Sequence, residues 1–266
     1  MKATPPATLI HAPLKIAIWN VNSIKARLDH VLNWLSAHKP DILMIQELKG
    51  LELDTGPFLA QGYHTHYRGQ KAYNGVATLS RAPATLVLDQ LPGDDADEQA
   101  RYLEIEYHGV RLINIYAPNG NPVDSEKFPY KLSWMQRLYQ RLSALRAQDI
   151  PFAIGGDFNI IPEAKDCYDP AAWENDALYR LESRQSWRAL VHLGLTDALR
   201  VYNHQPQQYT FWDYQAGAWP QNKGIRIDHF LLSPRLADRL INCTIDREPR
   251  GLDKASDHTP VILEIA

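Results

Sequence analysis

Asp157 and Asn159 stand two residues apart, directly after Gly155 and Gly156, in the stretch PFAIGGDFNIIPE. On an extended chain, side chains two apart point to the same face. An acceptor-only carboxylate and a mixed donor/acceptor amide thus aim together at the end of an apolar run. Other apolar runs carry polar groups at one end in the same way. IWNVN holds Asn20 and Asn22, IQELK holds Glu47, and IYAPNG holds Tyr116 and Asn119. RIDH holds Asp228, and ASDHTP places Asp257 and His258 just ahead of the last run.

This set is rich in oxygen and contains no cysteine. Carboxylates and amide oxygens suit a hard cation, magnesium or manganese, rather than zinc. A single prominent histidine beside an aspartate suits proton transfer or charge stabilisation near neutral pH. The chain has no G-x-S-x-G and no reactive-cysteine context, which disfavours a covalent intermediate. Metal-assisted attack of an activated water on an anionic ester remains, and a phosphate ester fits, with Asn, Tyr and His donors for its oxygens. Asp157 would orient or deprotonate the water or manage the leaving oxygen. Asn159 would hold that water or a phosphate oxygen. Each motif alone has a plain structural reading: an Asx turn, a helix cap, a solvated Glu47–Lys49 pair, a core-edge tyrosine. Their joint occurrence at strand ends, where α/β folds bind ligands, favours a site. Asp228 lies in an apolar run and needs a partner, either His258 or Arg226.

The elements that must position these groups alternate along the chain. LKIAIWNV reads as a strand, SIKARLDHVLNWLSAHK as a helix capped by Ser23, and DILMIQ as a buried strand. YHTHYR, NGVATLSR, ATLVLD, RYLEIEY and VRLINIYAP follow as strands, with a hairpin turn at His108-Gly109. Residues 125–148 read as a long helix with Pro129 in its first turns. PFAIGGDFN is a strand, 164–179 a polar excursion without period, and SRQSWRALVHLGL a helix. YTFWDY, GIRIDHFLLS, RLINCTID and TPVILEI read as closing strands. Interleaved strands and helices make one α/β domain over 14–266, with 1–13 as a frayed tail.

Composition narrows the rest. With 266 residues, 45% hydrophobic and 22% charged, the chain buries a core without staples. Cys167 and Cys243 have no metal or disulfide spacing, and no apolar run is long enough to predict a membrane span. A formal net charge of -3 gives no hint of a polyanion partner. Lys25, Arg27, Lys49, Arg68, Lys71, Arg81 and Lys223 lie near motif-bearing loops, as a basic rim or as a solvated surface.

Read in order, WNVNSIKARL, IQELK, NGVATLSR, INIYAPNG, SEKFPYKLSWMQRL, GGDFNIIPE, YTFWDYQAGAW, GIRIDHFLLSP and SDHTPV make the chain resemble the exonuclease III family, the abasic-site endonucleases of DNA base-excision repair. The resemblance runs from about residue 14 to the C-terminus. It implies a four-layered α/β sandwich, two mixed β-sheets face to face with helices outside. It implies Mg²⁺, with Mn²⁺ as a substitute, and hydrolysis of the phosphodiester 5′ to an abasic site. It also implies 3′→5′ exonuclease action and 3′-end repair on double-stranded DNA, by a monomer in the bacterial cytoplasm beside the nucleoid. By the same resemblance Glu47 is the main metal ligand, flanked by Asn20 and Asn22 and assisted by Asp257. Tyr116 contacts the scissile phosphate, Asp157 and Asn159 position the water, and His258 acts on phosphate oxygens, oriented by Asp228. Phe211, Trp212 and Ile227 form an apolar pocket for the extruded sugar, and Lys25, Lys49 and Asn119 contact substrate. Lys25 stands where many relatives have arginine, and Ile225 where some place an aromatic wall. The loop after Asn119 offers no arginine or methionine to wedge into a duplex. The alternatives are an inositol-phosphate type of phosphomonoesterase on the same fold and a catalytically silent DNA-binding protein.

Overall fold

The computed structural model describes residues 13–266, so the expected frayed tail lies outside the described residues except for Pro13. The strands are β1 (Leu14–Asn20), β2 (Ile42–Gln46), β3 (His64–Arg68), β4 (Val76–Ser80), β5 (Thr85–Leu88), β6 (Tyr102–Tyr107), β7 (Val110–Tyr116), β8 (Phe152–Asp157), β9 (Thr196–Asp197), β10 (Asp228–Leu232), β11 (Leu240–Ile245) and β12 (Val261–Ile265). The helices are α1 (Ile24–His38), α2 (Gly56–Ala60), α3 (Lys127–Ala147), α4 (Pro170–Trp173), α5 (Leu181–His192), α6 (Ala198–Tyr202) and α7 (Pro234–Ala237). One sheet runs β11-β12-β1-β2-β4-β3 and the other β5-β6-β7-β8-β10-β9. Both mix parallel and antiparallel pairs.

Central strands such as β2 are apolar on both faces because both faces are covered. Between the sheets, Ile16, Ile18, Met44 and Leu263 pack against Ile105, Leu112, Ala153 and Phe230. Outside the first sheet, Val31, Trp34 and Leu35 of α1 cover Ala17, Leu43 and Leu79. Outside the second, Trp134, Leu138 and Leu142 of α3 and Trp187 and Leu190 of α5 cover Ile113, Phe152 and Ile154. The result is the expected order of layers, helix, sheet, sheet, helix. An amide pair bridges the sheets: Gln46 Nε2 donates to Asn114 Oδ1 (2.8 Å), and Asn114 Nδ2 donates to the Ala77 carbonyl (2.8 Å). These buried donors bond across the interface at one relative placement of the sheets.

The two glycines of GGDFN are required by close approach. A Cβ on Gly155 would sit 2.5 Å from the Phe230 ring and 2.9 Å from Ile18 of the facing sheet. Gly156 has φ +138°, and a Cβ there would lie 2.0 Å from the Ile115 carbonyl. Only glycine lets β8 pass so near its neighbours.

Parallel pairing ends β1 with β2 and β7 with β8, so Asn20 lies beside Gln46 and Tyr116 beside Asp157. Antiparallel β10 starts where β8 ends, with Asp228 opposite Asp157. Antiparallel β12 starts where β1 ends. All the motif-bearing ends therefore gather on one edge of the sandwich. Two expected strands are corrected. YTFWDY is a loop whose only β-bridges among the described residues are the isolated ones at Phe211, and GIRIDHFLLS is a strand only from Asp228. A long loop stapled by side chains replaces the sheet there. No helix among the described residues is long and apolar enough to cross a membrane.

Candidate active site

A chain of contacts joins the two sheets at this edge. Asn20 Nδ2 donates both to Glu47 Oε1 (2.9 Å) and to Asp157 Oδ2 (3.0 Å). Asp157 Oδ1 accepts the Asn159 amide N–H (2.8 Å). His258 Nε2 faces Asp157 Oδ2 at 3.7 Å, while its Nδ1 lies 2.9 and 3.1 Å from the Asp228 carboxylate oxygens. Ligand atoms of Glu47, Asp157 and His258 all fall within 4.8 Å of one another. The backbone is strained where these residues leave their strands: Asn22, Ser23, Glu47, Lys49 and Asn159 all have positive φ.

Electrostatics separate the roles. Burial alone would lower the His258 pKa, but the Asp228 carboxylate, with Asp157 and Asp257 behind it, raises it to about 10. In that protonated form the imidazolium has no free lone pair and His258 acts as a cationic donor. Burial pushes the Asp157 carboxyl up to about 7, helped by Asp228 and Glu47 and opposed by His258. A carboxyl poised there suits proton exchange with a reacting water. Burial would also raise Glu47, but the Asn20 amide and the Lys49 ammonium outweigh it and hold the carboxyl below its usual range. Burial, then the fields of Glu47 and Asp157, push the Tyr116 hydroxyl well above its usual range, against Arg101 stacked 4.8 Å from its ring. Tyr116 therefore stays a protonated donor.

The donor set fits a hard cation. Lys49 Nζ lies 2.9 Å from Glu47 Oε2 and also donates to Asn22 Oδ1, so these oxygens already converge on a positive charge. Asp257 joins through Asn22, whose Nδ2 donates to Asp257 Oδ1 (3.1 Å).

Some expected residues lie elsewhere in the arrangement. Asn20, expected to offer an oxygen to the ion, accepts the Asn22 N–H at its Oδ1 (3.0 Å) and bridges the two carboxylates through its amide nitrogen. Lys49 turns inward onto Glu47 rather than outward, whereas Lys25 is exposed in the first turn of α1. Asn119 Nδ2 donates to Asn159 Oδ1 (3.1 Å), and Asn119 and Tyr116 line one 580 Å³ cavity. The Phe211 ring lies 5.0 Å from that of His258 and walls a 290 Å³ cavity with Ile225, Tyr168, Trp173 and Lys223. Trp212 and Ile227 do not line it. Trp212 is fully buried against Tyr209 and Trp219, with Arg247 over its ring, because successive residues of the loop point to opposite sides. Ile227 packs with Phe128, Ile161 and Leu178 beneath. Arg226 pairs with Asp166 and Asp197, leaving His258 as the partner of Asp228.

Sequence reasoning missed Tyr168 and Trp173, which come from the aperiodic excursion. It also missed Tyr214, whose hydroxyl receives Arg27 Nη2 (2.9 Å) and donates to the Ala255 carbonyl (2.9 Å), tying the Asn22 loop to the Asp257 loop. An aromatic beside a predicted pocket residue was the only signal for it.

Residues 17–258 match the model of the Endonuclease/Exonuclease/phosphatase family, and the chain belongs to that family. It is 30% identical to the exodeoxyribonuclease III of Haemophilus influenzae, over 94% of this chain and 99% of that protein. It superposes on a 3′-5′ exonuclease from Neisseria meningitidis with a TM-score of 0.92 and 40% identity, covering 94% of this chain and 99% of the other. An AP endonuclease from Archaeoglobus fulgidus superposes with a TM-score of 0.91 and 37% identity, covering 95% and 99%.

Proposed function

We propose that this protein is a Mg²⁺-dependent DNA-repair nuclease. It hydrolyses the phosphodiester 5′ to abasic sites and trims or repairs 3′ ends of double-stranded DNA. The observation that carries this reading is the contact chain Asp228–His258–Asp157–Asn20–Glu47 across the two sheets. Relatives described as exodeoxyribonuclease III, 3′-5′ exonuclease and AP endonuclease support it.

Glu47 and Asn22, with Asp257 behind them, would hold Mg²⁺. Bound there, the ion supplies positive charge against the phosphate oxygens. The side chains do the rest. Asp157 orients the attacking water and accepts its proton, and Asn159 fixes the geometry of that carboxylate through its backbone N–H. His258, kept cationic by Asp228, and Tyr116, kept protonated, donate to phosphate oxygens on which charge accumulates. The Phe211–Ile225 cavity receives an extruded abasic sugar, which is easily flipped because it has no base to unstack.

The test is a time course on an end-labelled duplex with a tetrahydrofuran abasic analogue, with Mg²⁺ and with EDTA. Incision on the 5′ side that EDTA abolishes is expected. No incision, together with phosphate release from an inositol phosphate, would assign the phosphomonoesterase alternative.

A further inference from the structure

Lys131, on α3, is fully buried. Its ammonium donates to three backbone carbonyls, those of Pro118 (3.1 Å), Asn119 (3.1 Å) and Asn159 (2.5 Å). Two of these belong to the loop after β7 and the third to the loop after β8, and these loops carry two amides of the site. An ammonium has three N–H donors and no acceptor. Three converging carbonyls therefore match the charged form, whereas a neutral amine would turn its lone pair on one of them. Burial lowers the Lys131 pKa to about 7, while the fields of Asp157 and Asp176 oppose that fall and Arg101 adds to it. Gly120 closes on the lysine stem. It has φ +91°, and a Cβ there would lie 2.7 Å from Lys131 Cδ.

We infer that Lys131 is a positioning residue for the hydrolytic step: by gathering these carbonyls it holds the Asn119 and Asn159 loops as one unit. The consequence runs outward from the backbone. Asn159 keeps its left-handed conformation, φ 49°, with its carbonyl on the ammonium and its N–H on Asp157 Oδ1. Asn119 Nδ2 reaches Asn159 Oδ1 from the loop held by the same cation. Lys131 itself touches no substrate. Its loss should misdirect Asp157 and Asn159 while leaving the outer DNA contacts in place.

This inference rests on the nuclease reading, and the experiment separates the two. Single-turnover incision of the abasic duplex is measured beside DNA affinity by anisotropy in EDTA, for wild type, Lys131→Met and Gly120→Ala. Wild-type incision tests the nuclease reading, and the ratio of variant to wild type tests the inference. Lys131→Met keeps the unbranched stem as far as Cε and removes the ammonium that makes the three bonds. It should melt cooperatively, keep its Kd within about threefold and lose roughly 10- to 100-fold in single-turnover rate. Gly120→Ala, which keeps the charge but crowds the lysine stem, Ala177 and Phe128 at a positive-φ turn, should show the same split. A folded Lys131→Met with the wild-type rate, or with rate and affinity reduced by the same factor, would overturn the inference. Should Lys131→Met fail to fold, Gly120→Ala decides: a slower rate at unchanged Kd supports the inference, and the wild-type rate refutes it.

Discussion

Asn20 shows how a single amide can organise two carboxylates. Its nitrogen donates to Glu47 and Asp157 at once, so two acidic groups from different sheets are held together by shared hydrogen bonds. Their tasks differ, and so should the effects of removing them. Asp157→Asn removes the proton acceptor and turns an amide nitrogen or a weaker oxygen toward the Asn20 donor. Turnover on the abasic duplex should fall by about 10²- to 10⁴-fold. Affinity for the duplex in EDTA should largely survive. Unchanged turnover would remove Asp157 from the chemistry. Glu47→Gln instead weakens the cation site, whose carboxyl is held below its usual range by Asn20 and Lys49. The Mg²⁺ midpoint for activity should rise, and Mn²⁺ bound to the free protein, followed by electron paramagnetic resonance, should weaken in parallel. Equal midpoints for wild type and variant would place the ion elsewhere.

The elements that aim these residues depend on a buried ionic knot behind the site. Asp166, in the excursion after β8, takes Arg226 Nε at 2.7 Å and is also bonded by Arg200 of α6. Arg226 reaches Asp197 as well (2.9 Å), and its Nη1 lies 3.0 Å from His229 Nδ1. A guanidinium only donates, so Nδ1 must accept and Nε2–H must donate to the Ile160 carbonyl (3.0 Å). His229 is therefore held neutral: burial first, then Arg226, lower its pKa to about 3. The unfolded chain binds this proton below the ordinary value near 6.5, while the folded chain does not until about pH 3. Stability thus falls as pH drops through that window. His229→Gln, which can keep both hydrogen bonds, should flatten the decline in melting temperature between about pH 6.5 and 4. An unchanged slope would show that other groups set it. This knot was not legible in the sequence. Asp166, Asp197, Arg200 and Arg226 are spread over an excursion, a two-residue strand, a short helix and the loop before β10, and none carries a periodic signal. The β1–α1–β2 opening, the GGDFN strand and the convergence of motif ends were legible, because apolar runs and helical stripes record burial directly. The inward turn of Lys49 and the burial of Trp212 were not. Both depend on which side of an irregular loop a side chain takes, and this is decided by tertiary packing.

At the scale of the whole molecule, a net charge of -3 means that DNA must be met by local rather than global attraction. The fold sorts the expected basic rim. Lys25, Lys71 and Lys223 are exposed on segments at the active edge, and none makes an ion pair among the described residues. Arg27 is tied to the Asn22 carbonyl and Tyr214, and Lys49 to Glu47. Arg68 donates to the Asp89 carbonyl. Arg81 follows β4 at the opposite edge, with its guanidinium over Tyr63 and on the Pro40 carbonyl. Binding of a duplex in EDTA should weaken linearly in logarithmic salt. Lys25→Ala, Lys71→Ala and Lys223→Ala should each reduce the magnitude of that slope by about 1, alike for intact and abasic duplexes. Arg81→Ala should leave the slope unchanged if the duplex lies along the active edge, since Arg81 sits at the opposite one. An Arg81 variant that lowered the slope as much as the lysine variants would move the DNA path away from the strand ends, and with it the substrate away from Asp157 and His258.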